Sequence, residues 1–223
     1  MISMGTVELD TFTKQLFIRS DIYLYGSMAT EILASQCADE IETMWNEPKG
    51  RVKYKGESFI VVFEINGFLF HKIKPDDIFE NDNPRNNYFR VEPFVHGDIS
   101  FVDGLNCNTG YFKLDNLYLG STTAAHEYGH SIGLDHPADL DQRGNGVPGI
   151  MCPRGTLVDA AFQYNPLAAI GEPGSTMHPI YRKVKQQDID ALKLDQFNLK
   201  KSGAVVIGNF SSVYHEAHTS DDA

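Results

Sequence analysis

His126-Glu127-Tyr128-Gly129-His130-Ser131-Ile132-Gly133-Leu134-Asp135-His136 is the stretch around which the chain is organised. On a helix, side chains four residues apart project from one face, one turn above the other, so His126 and His130 could grip one cation. Glu127 lies about 100° around the helix from His126. There it can reach a water on the same ion without becoming a ligand. Gly133 takes a positive φ without steric cost, which suits a residue that ends a helix and turns the chain sharply. The turn returns His136 as a third ligand. Three neutral imidazoles and a water make an open, borderline-soft tetrahedral site, and Zn2+ is its natural occupant.

The same eleven residues resemble the long zinc signature of the metzincin metallopeptidases, with His126, Glu127, His130, Gly133 and His136 in matching places. Further on, Gly149-Ile150-Met151-Cys152-Pro153 places Met151 where it resembles the methionine of the family's Met-turn, an apolar floor under the zinc histidines. The resemblance implies an α+β, zincin-like metallopeptidase domain over residues 1–197: a twisted mixed sheet, a long packing helix, an active-site helix and a C-terminal helix. Residues 198–223 are expected to form a C-terminal extension, partly disordered. In that family the last strand before the zinc helix is an exposed edge on which a peptide lies by main-chain pairing. This implies Tyr111, Phe112, Lys113 and Leu114 as the substrate edge. The segment after the Met-turn walls the specificity pocket, which makes Tyr164, His178 and Tyr181 candidates for substrate contact or for stabilising the oxyanion. A fourth ligand at Cys152 would close the site, so Cys152 is not assigned that role.

The likeness is to matrixin-like and serralysin-like catalytic domains, and it has departures. Cys152 and Pro153 follow Met151 directly, so the Met-x-Tyr pattern of astacins and serralysins is absent. No glycine-aspartate calcium repeats follow the domain, and no cysteine-switch motif precedes it. The neighbourhood of residues 149–159 is similar to metallopeptidase toxin domains at the ends of bacterial Rhs-type proteins. That likeness would imply an inhibitor or immunity protein as partner.

Composition is consistent with an enzyme of this size. The 223 residues are 42% hydrophobic and 11% aromatic, as in a globular protein, and suffice for one domain with an appendage. A formal charge of −11 argues against nucleic acid or an anionic membrane as partner. Cys37, Cys107 and Cys152 cannot all pair within one chain, so no disulfide framework is expected. Met1-Ile2-Ser3-Met4-Gly5 has neither a basic nor an apolar leader region, and no apolar run is long enough to span a bilayer. The expectation is a chain cytoplasmic as made, or a domain cut from a larger exported protein.

Along the chain, residues 6–10 and Gln15–Tyr25 read as strands. Gly26-Ser27 offers a cap for a helix over residues 28–46, with Ala29, Leu33, Cys37, Ile41, Met44 and Trp45 at helical spacing. Residues 59–65 form an apolar strand, Asn66-Gly67 signals a type I′ hairpin, and residues 68–73 return. Residues 76–87 read as a surface loop. Short strands are expected at 88–95, 99–102 and 110–114, a helix at 184–197 and a strand at 204–207. Ser121-Thr122-Thr123 provides cap candidates for the zinc helix. His215-Glu216-Ala217-His218 has the wrong spacing for the zinc motif and reads as surface.

The chemistry expected is peptide-bond hydrolysis. Zinc lowers the pKa of its water and polarises the scissile carbonyl, while Glu127 moves the proton from water to the leaving amine. The alternatives are a catalytically inactive binding module on the same fold, or a toxin-type effector protease neutralised by a cognate partner.

Overall fold

The computed structural model describes residues 5–169, 172–199 and 203–219; the opening residues 1–4 and the last residues of the acidic tail lie outside them. At its centre is β2, Gln15–Tyr25. Side chains alternate across a strand, and here Leu16, Ile18, Ile22 and Leu24 point to one face, fully buried. β1 (Gly5–Asp10) runs antiparallel to the first half of β2. Beyond a hairpin turn at Lys55-Gly56, β3 (Arg51–Tyr54) and β4 (Glu57–Leu69) pair antiparallel, and β4 lies parallel along the other edge of β2. β5 (Asn86–Glu92) runs parallel to the second half of β2. β6 (Phe101–Val102) is the outermost strand, antiparallel to β7 (Thr109–Lys113), which is parallel to β5. β8 (Val205–Ile207) pairs with β1, in keeping with the apolar run there. The result is a mixed α/β domain whose described strands form one sheet in the order β3-β4-β2-β5-β7-β6.

α1 (Glu31–Asn46) crosses one face. Its cap is Thr30, whose Oγ1 accepts from the Leu33 N–H at 3.1 Å. The expected start near residue 28 is therefore displaced, because Ser27 is engaged elsewhere: its N–H and hydroxyl both donate to Glu92. The stripe Leu33, Cys37, Ile41, Met44 and Trp45 packs onto Phe59, Val61, Phe63 and Ile65 of β4 and on β2.

The Asn66-Gly67 hairpin does not form. β4 runs straight through both residues, with Asn66 opposite Asp21 and Gly67 opposite Ile22. β3 covers β4 only as far as Ile60. Beyond it, buried backbone donors still need acceptors, and α1 supplies them. Asn46 accepts from the Phe63 N–H at 2.9 Å, and Glu42 accepts from the Ile65 N–H at 2.8 Å. Closer still, the Gly67 backbone meets that of Ala34; a Cβ at Gly67 would stand 2.1 Å from the Ala34 carbonyl oxygen. The glycine is there for close approach, not for a turn. Gly67→Ala is accordingly expected to destabilise by about 1–3 kcal/mol, as overpacking does, lowering Tm by roughly 2–12 °C. An unchanged melting temperature would show that α1 does not press on β4 at this point.

Three other expectations change. The 76–87 loop contains a short helix, α2 (Pro75–Phe79), and ends in the start of β5. The helix at 184–197 shrinks to α4 (Gln186–Ala191), because Lys193 turns left-handed at φ 51° and is followed by a single 3-10 turn, Leu194–Gln196. The segment after β8 packs on the second face of the sheet. Tyr214 stacks on Tyr25, and His218 stacks on Tyr111. His215 Nε2 lies 2.9 Å from Asp103 Oδ1, so His215 and His218 are half-buried packing, while Glu216 and Ala217 lie on the surface as expected.

Candidate metal centre

α3 (Thr123–Ser131) carries the first two histidines. Two anchors fix it against α1. The Trp45 indole N–H donates to the Ala125 carbonyl at 3.1 Å, and the Glu40 carboxylate accepts from the Ala125 N–H at 3.3 Å. The amides of Thr122 and Ala124 also donate to Glu40. A carboxylate across a helix N-terminus satisfies otherwise unpaired amides and the helix dipole together. Burial nonetheless pushes the Glu40 carboxyl above its usual range. Of the hydroxyl cap candidates, Thr122 Oγ1 instead donates to the Pro179 carbonyl, while Ser121 Oγ accepts from the Thr123 N–H.

At the other end, Gly133 takes φ 102° and the chain doubles back. The Leu134 N–H bonds the Gly129 carbonyl at 2.9 Å, which brings His136 over α3. The ring nitrogens of the trio have divided roles. His126 Nδ1 lies 2.7 Å from the Ile150 carbonyl, and His130 Nδ1 lies 2.7 Å from the Leu134 carbonyl. Each Nδ1 therefore carries the proton, and each Nε2 presents a lone pair. Those lone pairs converge: His130 Nε2 to His136 Nε2 is 3.0 Å, and His136 Nε2 to His126 Nε2 is 3.3 Å. A tetrahedral ion with zinc–nitrogen bonds of about 2.0–2.1 Å sets its ligands about 3.3 Å apart, so the trio fits zinc. Among the described residues it is the group of three or more His, Cys, Asp or Glu that could hold a metal. Burial depresses the basicity of all three, His126 furthest, and Arg182 adds repulsion. Neutral imidazole is the form a metal needs.

Glu127 is buried beside them, and its Oε2 has no partner among the described residues. Burial pushes its pKa up to about 8, against the pull of Arg182, Arg154 and the Val102 N–H. Glu127 and the three histidines face one cleft of about 400 Å³. The cleft is also lined by the outer strand β6 with Ile99 and Ser100, and by Pro153, Arg154 and Arg182.

The Met151 stretch runs beneath α3. Ile150 supplies the carbonyl that orients His126, and Met151 lies so close to Gly129 that a Cβ there would be 2.3 Å from Sδ. Cys152 stands apart from the trio, packed with Val158 and Met177. All three cysteines are free.

The strand expected as a substrate edge is not an edge of the sheet. Tyr111 and Phe112 are buried in β7, which is paired on both sides, by β5 and β6. Neither Lys113 nor Leu114 lines the cleft; the edge facing it is Phe101–Val102. The strand expected at 99–102 is present as Phe101–Val102, but its pairing outside β7 is a matter of topology that strand patterning does not give. The oxyanion candidates are also displaced. Tyr164, His178 and Tyr181 cluster together, with His178 stacked on Tyr164 at 4.2 Å, and none lines the histidine cleft. Arg182 does line it, 3% exposed, its Nε–H donating to the Cys152 carbonyl at 2.7 Å. The sequence carries no signal for it: a lone arginine beside a tyrosine looks like surface.

A mixed α/β domain with a convergent three-histidine cluster and an adjoining buried carboxylate defines a candidate metal centre. No family model matches the chain, and no curated protein does. Among solved structures, archaemetzincin from Methanopyrus kandleri is 12% identical at a TM-score of 0.40, covering 79% of this chain and 95% of that one. A chain from the structure of a chaperone-substrate complex is likewise 12% identical at 0.40, with 81% of this chain against 35% of that chain. Both likenesses are too shallow to bear on function, and the site geometry alone carries the reading that follows. No helix among the described residues is long and apolar enough to cross a membrane.

Proposed function

We propose that the protein is a zinc-dependent endopeptidase of metzincin type. The observation that carries the reading is the meeting of three Nε2 lone pairs at zinc-ligand spacing beside the buried Glu127 carboxyl, whose Oε2 has no partner among the described residues. His126, His130 and His136 would hold the ion, two of them locked in the ligating tautomer by backbone carbonyls. When bound, zinc supplies Lewis acidity toward the scissile carbonyl and the attacking water. Glu127 takes the proton from that water and returns it to the departing amine nitrogen. A carboxyl with a pKa near neutrality is matched to both halves of that transfer. A peptide enters as an added strand along the Phe101–Val102 edge, a mode that reads main chain rather than sequence. Strand addition along an edge requires no chain end, which favours cutting within a chain.

The test is a proteome-derived peptide library incubated with zinc-loaded protein and read by mass spectrometry. Internal cleavage that disappears on chelation and returns with zinc is expected. Cleavage that survives complete removal of the metal would overturn the reading.

A further inference from the structure

The cleft is lined by two cations, neither of which forms an ion pair among the described residues. The chain has seven arginines. Four of them, Arg19, Arg85, Arg90 and Arg143, form ion pairs with carboxylates. Arg51 is on the surface. Arg154 and Arg182 face the cleft, and neither forms an ion pair among the described residues, in a chain with eleven more acidic than basic groups. They are near enough for Arg154 to depress the basicity of Arg182, whose pKa falls to about 10, chiefly through burial. Glu127, whose charge reaches both, forms an ion pair with neither among the described residues.

A buried guanidinium without an anion is costly, and removing such a charge from water is repaid only by a well-placed partner. Arg182 is fixed by its Nε–H bond to Cys152, which leaves its terminal nitrogens to find another acceptor. Arg154 is half-buried and lines the same cleft. Two guanidinium groups lining one cleft, near enough to feel each other's charge, offer N–H donors of the kind a carboxylate accepts.

We propose that Arg154 and Arg182 form a carboxylate-binding subsite that selects substrates bearing a carboxylate next to the scissile bond. The proposal rests on the endopeptidase reading for its position relative to the cut, but carboxylate binding can be measured without hydrolysis. The carboxylate has two sources, an Asp or Glu side chain or the free C-terminus of a short substrate.

The experiment uses N-acetylated heptapeptide libraries, random except for a central Glu or Gln, as C-terminal amides, plus the Gln library as free acids. Zinc-loaded wild type is expected to favour the Glu amides over the Gln amides by about 10- to 100-fold in kcat/KM, the range of a charge-assisted hydrogen bond. In Arg154→Gln the ratio should approach one, and in Arg154→Glu a matching Lys library should overtake the Glu library. Selection of free acids over amides, with cuts confined near the C-terminus, would support the subsite and assign it to the chain end. Equal cleavage of all libraries would overturn the subsite while leaving the peptidase intact. If nothing is cut, binding to the same zinc-loaded protein decides: Glu or free-acid peptides bound tighter than Gln amides keep the subsite and sink the peptidase. No such preference sinks the subsite. Should the Arg154 variants fail to fold, the wild-type ratio alone decides between these outcomes.

Discussion

Glu127→Ala is expected to keep the fold and the zinc while hydrolysis falls by at least about 10² to 10⁴, the usual contribution of general acid–base catalysis. No ligand is removed, because the three Nε2 atoms come from His126, His130 and His136. What disappears is the group that carries the proton from water to the leaving nitrogen. The structure adds an expectation about stability. Glu127 buries an oxygen without a partner, and an unmet buried polar atom destabilises. The metal-free variant should therefore melt no lower than metal-free wild type. The sign of its pH dependence follows from linkage. A carboxyl raised from 4.5 to about 8 favours folding while protonated. Its contribution is full below pH 4.5 and is lost as pH rises through about 8, so the variant's relative advantage should grow across that window. The measurements are turnover of a cleavable peptide, zinc content and thermal melting with and without metal. A folded, zinc-loaded Glu127→Ala protein that cleaves at the wild-type rate would end the mechanism proposed here. A wild type that cuts nothing in a broad library favours a binding module instead.

The parts of the molecule legible in the sequence are those governed by local rules. β2 and α1 follow from period-two and helical patterning, and the spacing of His126, His130 and His136 with a glycine between the second and third needs only helix geometry and one left-handed turn. Gly133 has the positive φ its place in the motif requires. The misreadings share one cause, which is contact between residues far apart in sequence. Asn66-Gly67 carries a strong turn signal, yet the glycine is dictated by Ala34 on a neighbouring helix. Residues 111–114 look like an edge until β6, two residues long, pairs outside β7. Glu40 lies in a helical stripe and shows no hint that it caps α3, 85 residues away. Arg154 and Arg182 acquire meaning only when the fold brings them to one cleft. Motif residues declare their chemistry because they lie within eleven consecutive residues. The residues that orient and polarise them come from other elements, and nothing local marks them.

His136→Ala is expected to cost zinc affinity by more than the roughly 10- to 100-fold typical of losing a group that merely orients a ligand, because a direct metal bond is removed. His136 is the exposed member of the trio and comes from the loop after the Gly133 turn, not from α3. Its loss leaves the helix and its two oriented histidines in place. The fold should therefore survive, since His136 is outside the apolar core, and the metal-free melting temperature should change little. Two histidines on one helix still offer a site, so zinc can be added back at high concentration, but the ion should be stripped by chelator far below the concentration that depletes wild type. Activity should fall with occupancy and remain low even when zinc is forced in, because the cation would no longer be held at the junction of all three Nε2 atoms beside Glu127. The readouts are elemental analysis of protein purified without added metal, a competitive chelator titration, and hydrolysis at saturating zinc. Full occupancy and unchanged chelator resistance in His136→Ala would remove His136 from the ligand set. The 3.0 and 3.3 Å contacts that draw its Nε2 to the other two would then be packing between rings, and the centre would have to be sought on α3 alone.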